Sequence, residues 1–81
     1  TFETLGISKR GFWEIDTTTL DIDMHYSTVI EKVINFGTWD DYIKTIRYYG
    51  PDTFLKIGQT SPNIRQEKLH LVNMIHMAYA H

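Results

Sequence analysis

Histidine is the side chain in this sequence best suited to bind a transition metal, and the chain has four histidines. His70 and His76 are six residues apart, which is about 240° around a helix. His76 and His81 are five apart, so neither pair has the i, i+4 spacing that puts two ligands on one helix face. His25 falls in the first turn of a predicted helix, where a solvated position is expected. We therefore predict no bound metal ion and no cofactor.

Two carboxylate pairs, Asp21 with Asp23 and Asp40 with Asp41, have the spacing of some divalent-metal sites. Both pairs lie where helices are predicted to begin, and there a carboxylate caps backbone N–H groups and complements the helix dipole. The capping interpretation is therefore favoured. The sequence has no Ser-His-Asp pattern, no glycine-rich phosphate loop and no zinc-protease motif. We predict a non-enzymatic protein without a small-molecule substrate.

A short predicted helix, the turn Thr60-Ser61-Pro62 and a longer predicted helix have the layout of a helix-turn-helix, whose second helix enters the major groove of DNA. Four polar residues able to contact bases or phosphates would lie at the start of that helix: Asn63, Arg65, Gln66 and Lys68. Small helical bundles contain similar helix pairs, and a formal net charge of −2 lacks the usual basic footprint. An autoregulatory DNA-binding protein remains the alternative function.

The aromatic pair Phe12-Trp13 near the N-terminus has two interpretations. Large aromatic side chains can seal the core of a small domain, or they can anchor a protein partner. Core sealing is favoured because a short chain needs most of its apolar groups for its own core. Both residues are kept as candidate partner contacts.

A second candidate partner surface lies late in the last predicted helix. Its main apolar stripe comprises Leu71, Val72, Ile75 and Tyr79. Further apolar side chains lie off this stripe: Leu69, Met74, Met77 and Ala80. One small core cannot easily cover both sets, and flexible methionines suit irregular contacts. We therefore expect self-association or the docking of a protein partner on this face.

Three boundaries divide the sequence into the elements that position these residues. Gly37-Thr38, Tyr49-Gly50-Pro51 and Ser61-Pro62 each combine residues that end one helix and begin the next. The apolar spacing between the boundaries has a helical period. We predict four helices near residues 23–36, 39–49, 51–58 and 62–79. Their expected core comprises Val29, Ile30, Val33, Ile43, Ile46, Phe54, Leu55, Val72 and Ile75.

The predicted fold is an all-α, compact four-helix domain. Eighty-one residues can close only one hydrophobic core, so residues 1–81 are expected to form a single domain. Residues 1–20 lack a sustained helical period and are predicted to be an extended arm and connector, with 12–16 as an extended segment. Residues 21–81 are the predicted helical core.

The composition indicates the cellular compartment in which the protein is expected to work. The chain has no cysteine, no stretch that resembles a signal peptide and no long apolar run. We therefore expect a cytoplasmic protein that makes no contact with membranes. The small acidic excess argues against broad electrostatic capture of nucleic acid.

Several short motifs together resemble a known family: Phe12-Trp13-Glu14-Ile15-Asp16, Leu20-Asp21, Val29-Ile30-Glu31-Lys32-Val33, Phe36-Gly37, Tyr49-Gly50 and Ser61-Pro62. They are similar to a family of small uncharacterised bacterial helical proteins, which are often encoded beside nucleotidyltransferase toxins of the abortive-infection type. The resemblance covers roughly residues 12–70. Glu67-Lys68 departs from it, since an aromatic pair is expected there.

What the resemblance implies is an antitoxin-like or toxin-associated role rather than a reaction. The expected partner is then a protein, which can be such a toxin. A protein-interaction module is therefore the primary functional prediction, and DNA binding is the alternative.

Overall fold

The computed structural model describes residues 2–79 and is built from α-helices, with no strand in that range. The helices are α1 (Phe2–Leu5), α2 (Tyr26–Phe36), α3 (Trp39–Tyr49), α4 (Pro51–Thr60) and α5 (Leu69–Tyr79), with one 3₁₀ turn at Gln66–Lys68. The predicted all-α fold with four main helices is confirmed. Ala80 and His81, which were part of the sequence predictions, lie outside the described residues.

Helix α2 begins later than predicted. Asp21 accepts hydrogen bonds from the backbone N–H groups of Asp23 and Met24, at 3.0 and 3.1 Å, and so caps a turn. The α-helix itself begins at Tyr26, after that turn, rather than near residue 23. The spacing predicts a buried stripe of five residues, of which Val29, Ile30, Val33 and Ile34 are buried. The fifth, Tyr26, is 40% exposed in the first turn of the helix.

Helices α3 and α4 lie where the sequence predicts them, and α4 extends two residues further. Thr38 and Asp41 form a capping box in which each side chain accepts a hydrogen bond from the other residue's backbone N–H. A single residue, Gly50, joins the two helices with φ of 91°, a conformation that favours glycine. Pro51 then occupies the first turn of α4, where its missing N–H costs no hydrogen bond.

The connection between α4 and α5 contradicts the prediction of a helix that begins at Pro62. Residues 61–65 form a loop, because the Ser61 hydroxyl accepts a hydrogen bond from the Asn63 N–H and donates one to the Glu31 carboxylate. Ile64 is buried, so its side chain fastens the loop to the core. The three- to four-residue turn of a helix-turn-helix is therefore absent between α4 and α5.

The N-terminal segment is neither extended nor an arm. Residues 12–16 form turns, with a hydrogen bond from the Phe12 N–H to the Lys9 carbonyl and one from the Ile15 N–H to the Phe12 carbonyl. Within residues 2–22, the side chains that belong to the hydrophobic core are Phe2, Leu5, Phe12 and Ile22. The i, i+3 spacing of Phe2 and Leu5 was the available signal for α1.

Helix α4 is the central element and packs against α2, α3 and α5. Phe54 of α4 is fully buried, and Gly58 allows the close approach of Val72 on α5. The predicted core residues are buried with one exception, Ile43, which is 37% exposed. Ile43 was wrongly predicted because α5 packs on α4 and leaves a gap beside α3.

Candidate protein-interaction site

The gap between α3 and α5 forms a groove on the surface of the bundle. Its volume is about 360 Å³, and its lining comprises Trp39, Tyr42, Ile43, Ile46, Met74, Ile75, Ala78 and Tyr79. One wall and part of the floor come from α3, and the rest comes from α5. Ile43 was predicted to lie in the core and Tyr79 in the main apolar stripe of the last helix, but both residues border an open groove.

The groove has a buried floor and exposed walls. Tyr42, Ile46 and Ile75 form the floor and are at most 7% exposed. The wall residues Trp39, Met74 and Tyr79 are 61%, 58% and 55% exposed. Because large apolar side chains of this exposure lie on both sides of an apolar floor, they form one contiguous uncovered surface.

The lining offers apolar contact rather than proton transfer. No acidic or basic side chain among the described residues lines the groove. The Tyr42 hydroxyl donates a hydrogen bond to the Ile34 carbonyl, and burial raises the pKa of this phenol, so it stays neutral near pH 7. The remaining side-chain polar groups are the Trp39 indole N–H and the Tyr79 hydroxyl. Each can hydrogen-bond the backbone or side chain of a bound partner.

The candidate partner contacts from the sequence are divided among three places. Met74 lines the groove, while Leu69 and Met77 are exposed on α5, at 40% and 67%, outside the lining. Phe12 is buried and fills the core. Trp13 is 70% exposed and lies beside Phe36 at the end of α2.

The candidate DNA contacts do not lie at the start of a helix. Asn63 and Arg65 belong to the loop before the 3₁₀ turn, and Gln66 and Lys68 belong to the turn itself. The Asn35 side chain fastens this loop to α2, since its amide donates to the Asn63 carbonyl at 2.9 Å and accepts from the Arg65 N–H at 2.8 Å. DNA binding through these residues stays a prediction. The recognition helix on which that prediction was based does not begin at these residues.

A second cluster surrounds the ring of Phe36. The Trp13 ring lies 5.5 Å from it in an edge-to-face arrangement, and Arg65 and Lys32 lie 5.6 and 6.0 Å from its centroid. Arg10 donates from Nε to the Phe36 carbonyl at 3.2 Å. This cluster was not predicted, because its members come from three distant parts of the chain and no local sequence motif indicates it.

Gly11 allows the backbone to approach the Phe36 ring closely at the centre of this cluster. A Cβ at Gly11 would lie 2.7 Å from a ring carbon of Phe36, and φ at Gly11 is 83°. We expect Gly11→Ala to lower the free energy of unfolding by roughly 2–4 kcal/mol, since backbone strain and overpacking add. Gly6→Ala is the matched control, because φ is 67° there and the nearest atom is 3.9 Å away. Chemical denaturation of both variants measures the difference; equal losses would contradict the contact.

The described residues contain neither a candidate metal site nor a helix suited to span a membrane. Within residues 2–79, no group of three or more His, Asp or Glu side chains is arranged to hold a metal ion. His25, His70 and His76 are all exposed. Across the same range, no helix combines the length and apolar character that crossing a bilayer requires.

Comparison with known proteins finds one family match. Residues 7–57 match the model of a family described as "Family of unknown function (DUF6922)", and this range is more than half of the chain. It includes α2, α3 and most of α4, while α5 lies beyond it. No curated protein and no solved structure matches the chain.

Proposed function

We propose that the protein is an interaction module that binds an amphipathic helix of a partner protein. The chain belongs to the DUF6922 family, whose function is unknown, so the proposal is argued from the groove. The observation that carries the proposal is the uncovered apolar groove between α3 and α5. A helix in a hydrophobic groove is a recurring mode of peptide recognition, in which apolar side chains on one face of the helix enter the groove.

The lining selects the chemistry of the partner. Because the groove presents no charge, it favours aliphatic or aromatic side chains over acidic or basic ones. Met74 on the α5 wall can adapt its flexible side chain to such groups. Trp39 and Tyr79 are positioned as anchors at the exposed edges, and burying their exposed halves removes on the order of 200 Å² from water. That area contributes about 5 kcal/mol before the costs of association.

The resemblance described above narrows the partner further. In the antitoxin-like role that it implies, the bound helix belongs to a toxin of the nucleotidyltransferase type, and the module acts by covering that helix. The groove supports the interaction function. The identity of the partner rests on the resemblance alone.

A photo-cross-linking experiment in the native host tests the proposal. A photoreactive phenylalanine analogue replaces Ile43 in the groove and, as a control, Met24, which is 72% exposed elsewhere. We expect position 43, and not position 24, to cross-link to one partner through an apolar helical peptide. Trp39→Ala should weaken partner binding by about 2 kcal/mol or more, as for a central interface residue, while Trp13→Ala should leave it unchanged.

Other products would contradict specific parts of the proposal. The same set of proteins at positions 43 and 24 would show that the groove is not selective. A cross-link only to a second copy of the chain would replace the partner helix by self-association, which sedimentation of Met74→Glu beside Met24→Glu would then measure. A partner other than a nucleotidyltransferase-type protein would contradict the antitoxin-like role and leave the groove function intact.

A further inference from the structure

Half of the cationic side chains of this acidic chain gather around one aromatic pair. The chain has eight Lys and Arg residues. Lys9 and Arg10 line a surface cavity of about 510 Å³ together with Trp13 and Phe36. The remaining two cations of the cluster lie over the Phe36 ring: Lys32 and Arg65. We call these six residues the Trp13 patch.

Three of the four cations in the Trp13 patch form no ion pair within the part of the chain that the structure describes. Arg65 forms an ion pair with Glu67 at 2.6 Å. Lys9, Arg10 and Lys32 have no such carboxylate partner among residues 2–79. A surface with several unneutralised cations attracts polyanions even on a chain whose net charge is negative, because screening limits the influence of distant charges to about 10 Å.

The exposed tryptophan specifies which polyanion the patch fits. Trp13 lies in a turn, is 70% exposed and contacts Phe36 in an edge-to-face arrangement at 5.5 Å, so much of its indole is open to solvent. The core does not require this position for Trp13, since the adjacent Phe12 fills the core instead. Exposed aromatic rings beside Lys and Arg are the combination that binds single-stranded nucleic acid, where bases stack and phosphates meet cations.

We propose that the Trp13 patch binds single-stranded RNA or DNA, with one base stacked on Trp13 and adjacent phosphates contacting Lys9, Arg10 and Lys32. A duplex keeps its bases stacked inside and offers no free base face to the indole. An acidic peptide would satisfy the cations but supplies no regular series of flat rings. The patch is separate from the groove between α3 and α5, so this inference does not depend on the proposed function.

Anisotropy of a short fluorescein-labelled oligothymidylate or oligouridylate, titrated with the whole chain at low salt, tests the proposal. We expect Trp13→Ala to weaken binding about fivefold to a hundredfold, the range for loss of one stacked base, and Trp13→Phe to retain most of it. Trp39→Ala is the control, as Trp39 is 61% exposed in the groove. In the Trp39→Phe variant, Trp13 is the one remaining tryptophan, and its fluorescence emission should be quenched when the oligomer binds.

The salt dependence tests the phosphate contacts separately. In Lys9→Ala/Lys32→Ala, the slope of log K against log salt should fall by about 1.4, since two phosphate contacts to a single strand are lost. Arg47→Ala/Lys56→Ala changes the charge equally on exposed positions outside the patch and should leave the slope unchanged.

Five results would overturn the proposal. Four are no binding of either oligomer at low salt, tighter binding of a hairpin duplex, equal competition by polyglutamate, and affinity that Trp13→Ala leaves unchanged. The fifth is binding of inorganic polyphosphate as tight as that of the oligomers, which would show that bases play no part. None of these results would bear on the groove, because the two sites share no residue.

Discussion

Replacing Phe12 by alanine should lower the free energy of unfolding by about 3–5 kcal/mol, the usual cost of removing a buried aromatic side chain. Phe12 is 2% exposed and packs edge-to-face on Phe2 at a centroid distance of 4.9 Å. For a domain of this size the loss corresponds to a fall in Tm of roughly 12 °C or more. Thermal and chemical unfolding followed by circular dichroism measures it.

The adjacent residue provides the control for this prediction. Trp13→Ala removes a larger side chain, but it should cost only about 0.5–1.5 kcal/mol, the value of one aromatic pair. Similar losses for the two variants would contradict the difference in burial between Phe12 and Trp13. A protein that unfolds after Phe12→Ala and keeps its stability after Trp13→Ala would show that this segment completes the bundle.

Replacing Asp41 should have the second large effect on the free energy of unfolding, because this residue holds the N-terminal segment on α3. Its carboxylate accepts hydrogen bonds from the Ser8 N–H at 2.9 Å, the Ser8 hydroxyl at 2.5 Å and the Thr38 N–H at 3.0 Å. We expect Asp41→Asn to lower the free energy of unfolding by about 2–3 kcal/mol at pH 7, since the amide cannot accept all these bonds. Denaturant titration measures the loss.

The effect of Asp41 should also depend on pH. Burial raises the pKa of its carboxyl, but the hydrogen bonds from Ser8 and Thr38 outweigh burial and leave the pKa below its usual value. The stabilisation is therefore fully present above the unfolded pKa of about 3.9 and is lost as the pH falls through the folded pKa. The stability gap between wild type and Asp41→Asn should narrow on acidification below about pH 4.

Asp40→Asn separates this effect from a general loss of acidic charge. Asp40 is next in the chain and forms only an exposed ion pair with Lys44 at 2.9 Å. Such pairs contribute roughly 0–1 kcal/mol, so this variant should stay close to wild type at every pH. A gap between wild type and Asp41→Asn that stays constant down to pH 2 would contradict the role of the carboxylate.

The main helices could be predicted because their signals are local. The Thr38 cap, the joint at Gly50-Pro51 and the apolar stripe of α2 each act within a few residues. Those signals place the boundaries of α3 and α4 within about two residues of the structure. Burial of Phe54 and Val72 followed from the same periodicity.

The predictions failed where distant residues decide the local structure. Ser61-Pro62 has the local signature of a helix start, but Glu31 binds the Ser61 hydroxyl and Asn35 binds the loop that follows. Those partners lie about 30 positions away in the sequence, so no local pattern contains them. The loop then delays the next α-helix to Leu69.

The candidate sites were predictable only in part for the same reason. Exposed methionines on the last helix followed from an excess of apolar side chains, and Met74 does line the groove. The opposite wall could not be predicted, because exposure of Trp39 and Ile43 depends on where α5 lies relative to α3. The Trp13 patch depends on three chain segments that meet only after folding.

The single-residue joint at Gly50 has a consequence for how the groove can move. With no spacer between α3 and α4, the α3 wall can change its angle to α4 only by rotation at one residue. The α5 wall is joined to α4 by a longer connection, and contact with Gly58 through Val72 fixes one point of it. We therefore expect the groove to widen by movement of α5. The amide protons of α5 should then exchange with solvent faster than those of α3.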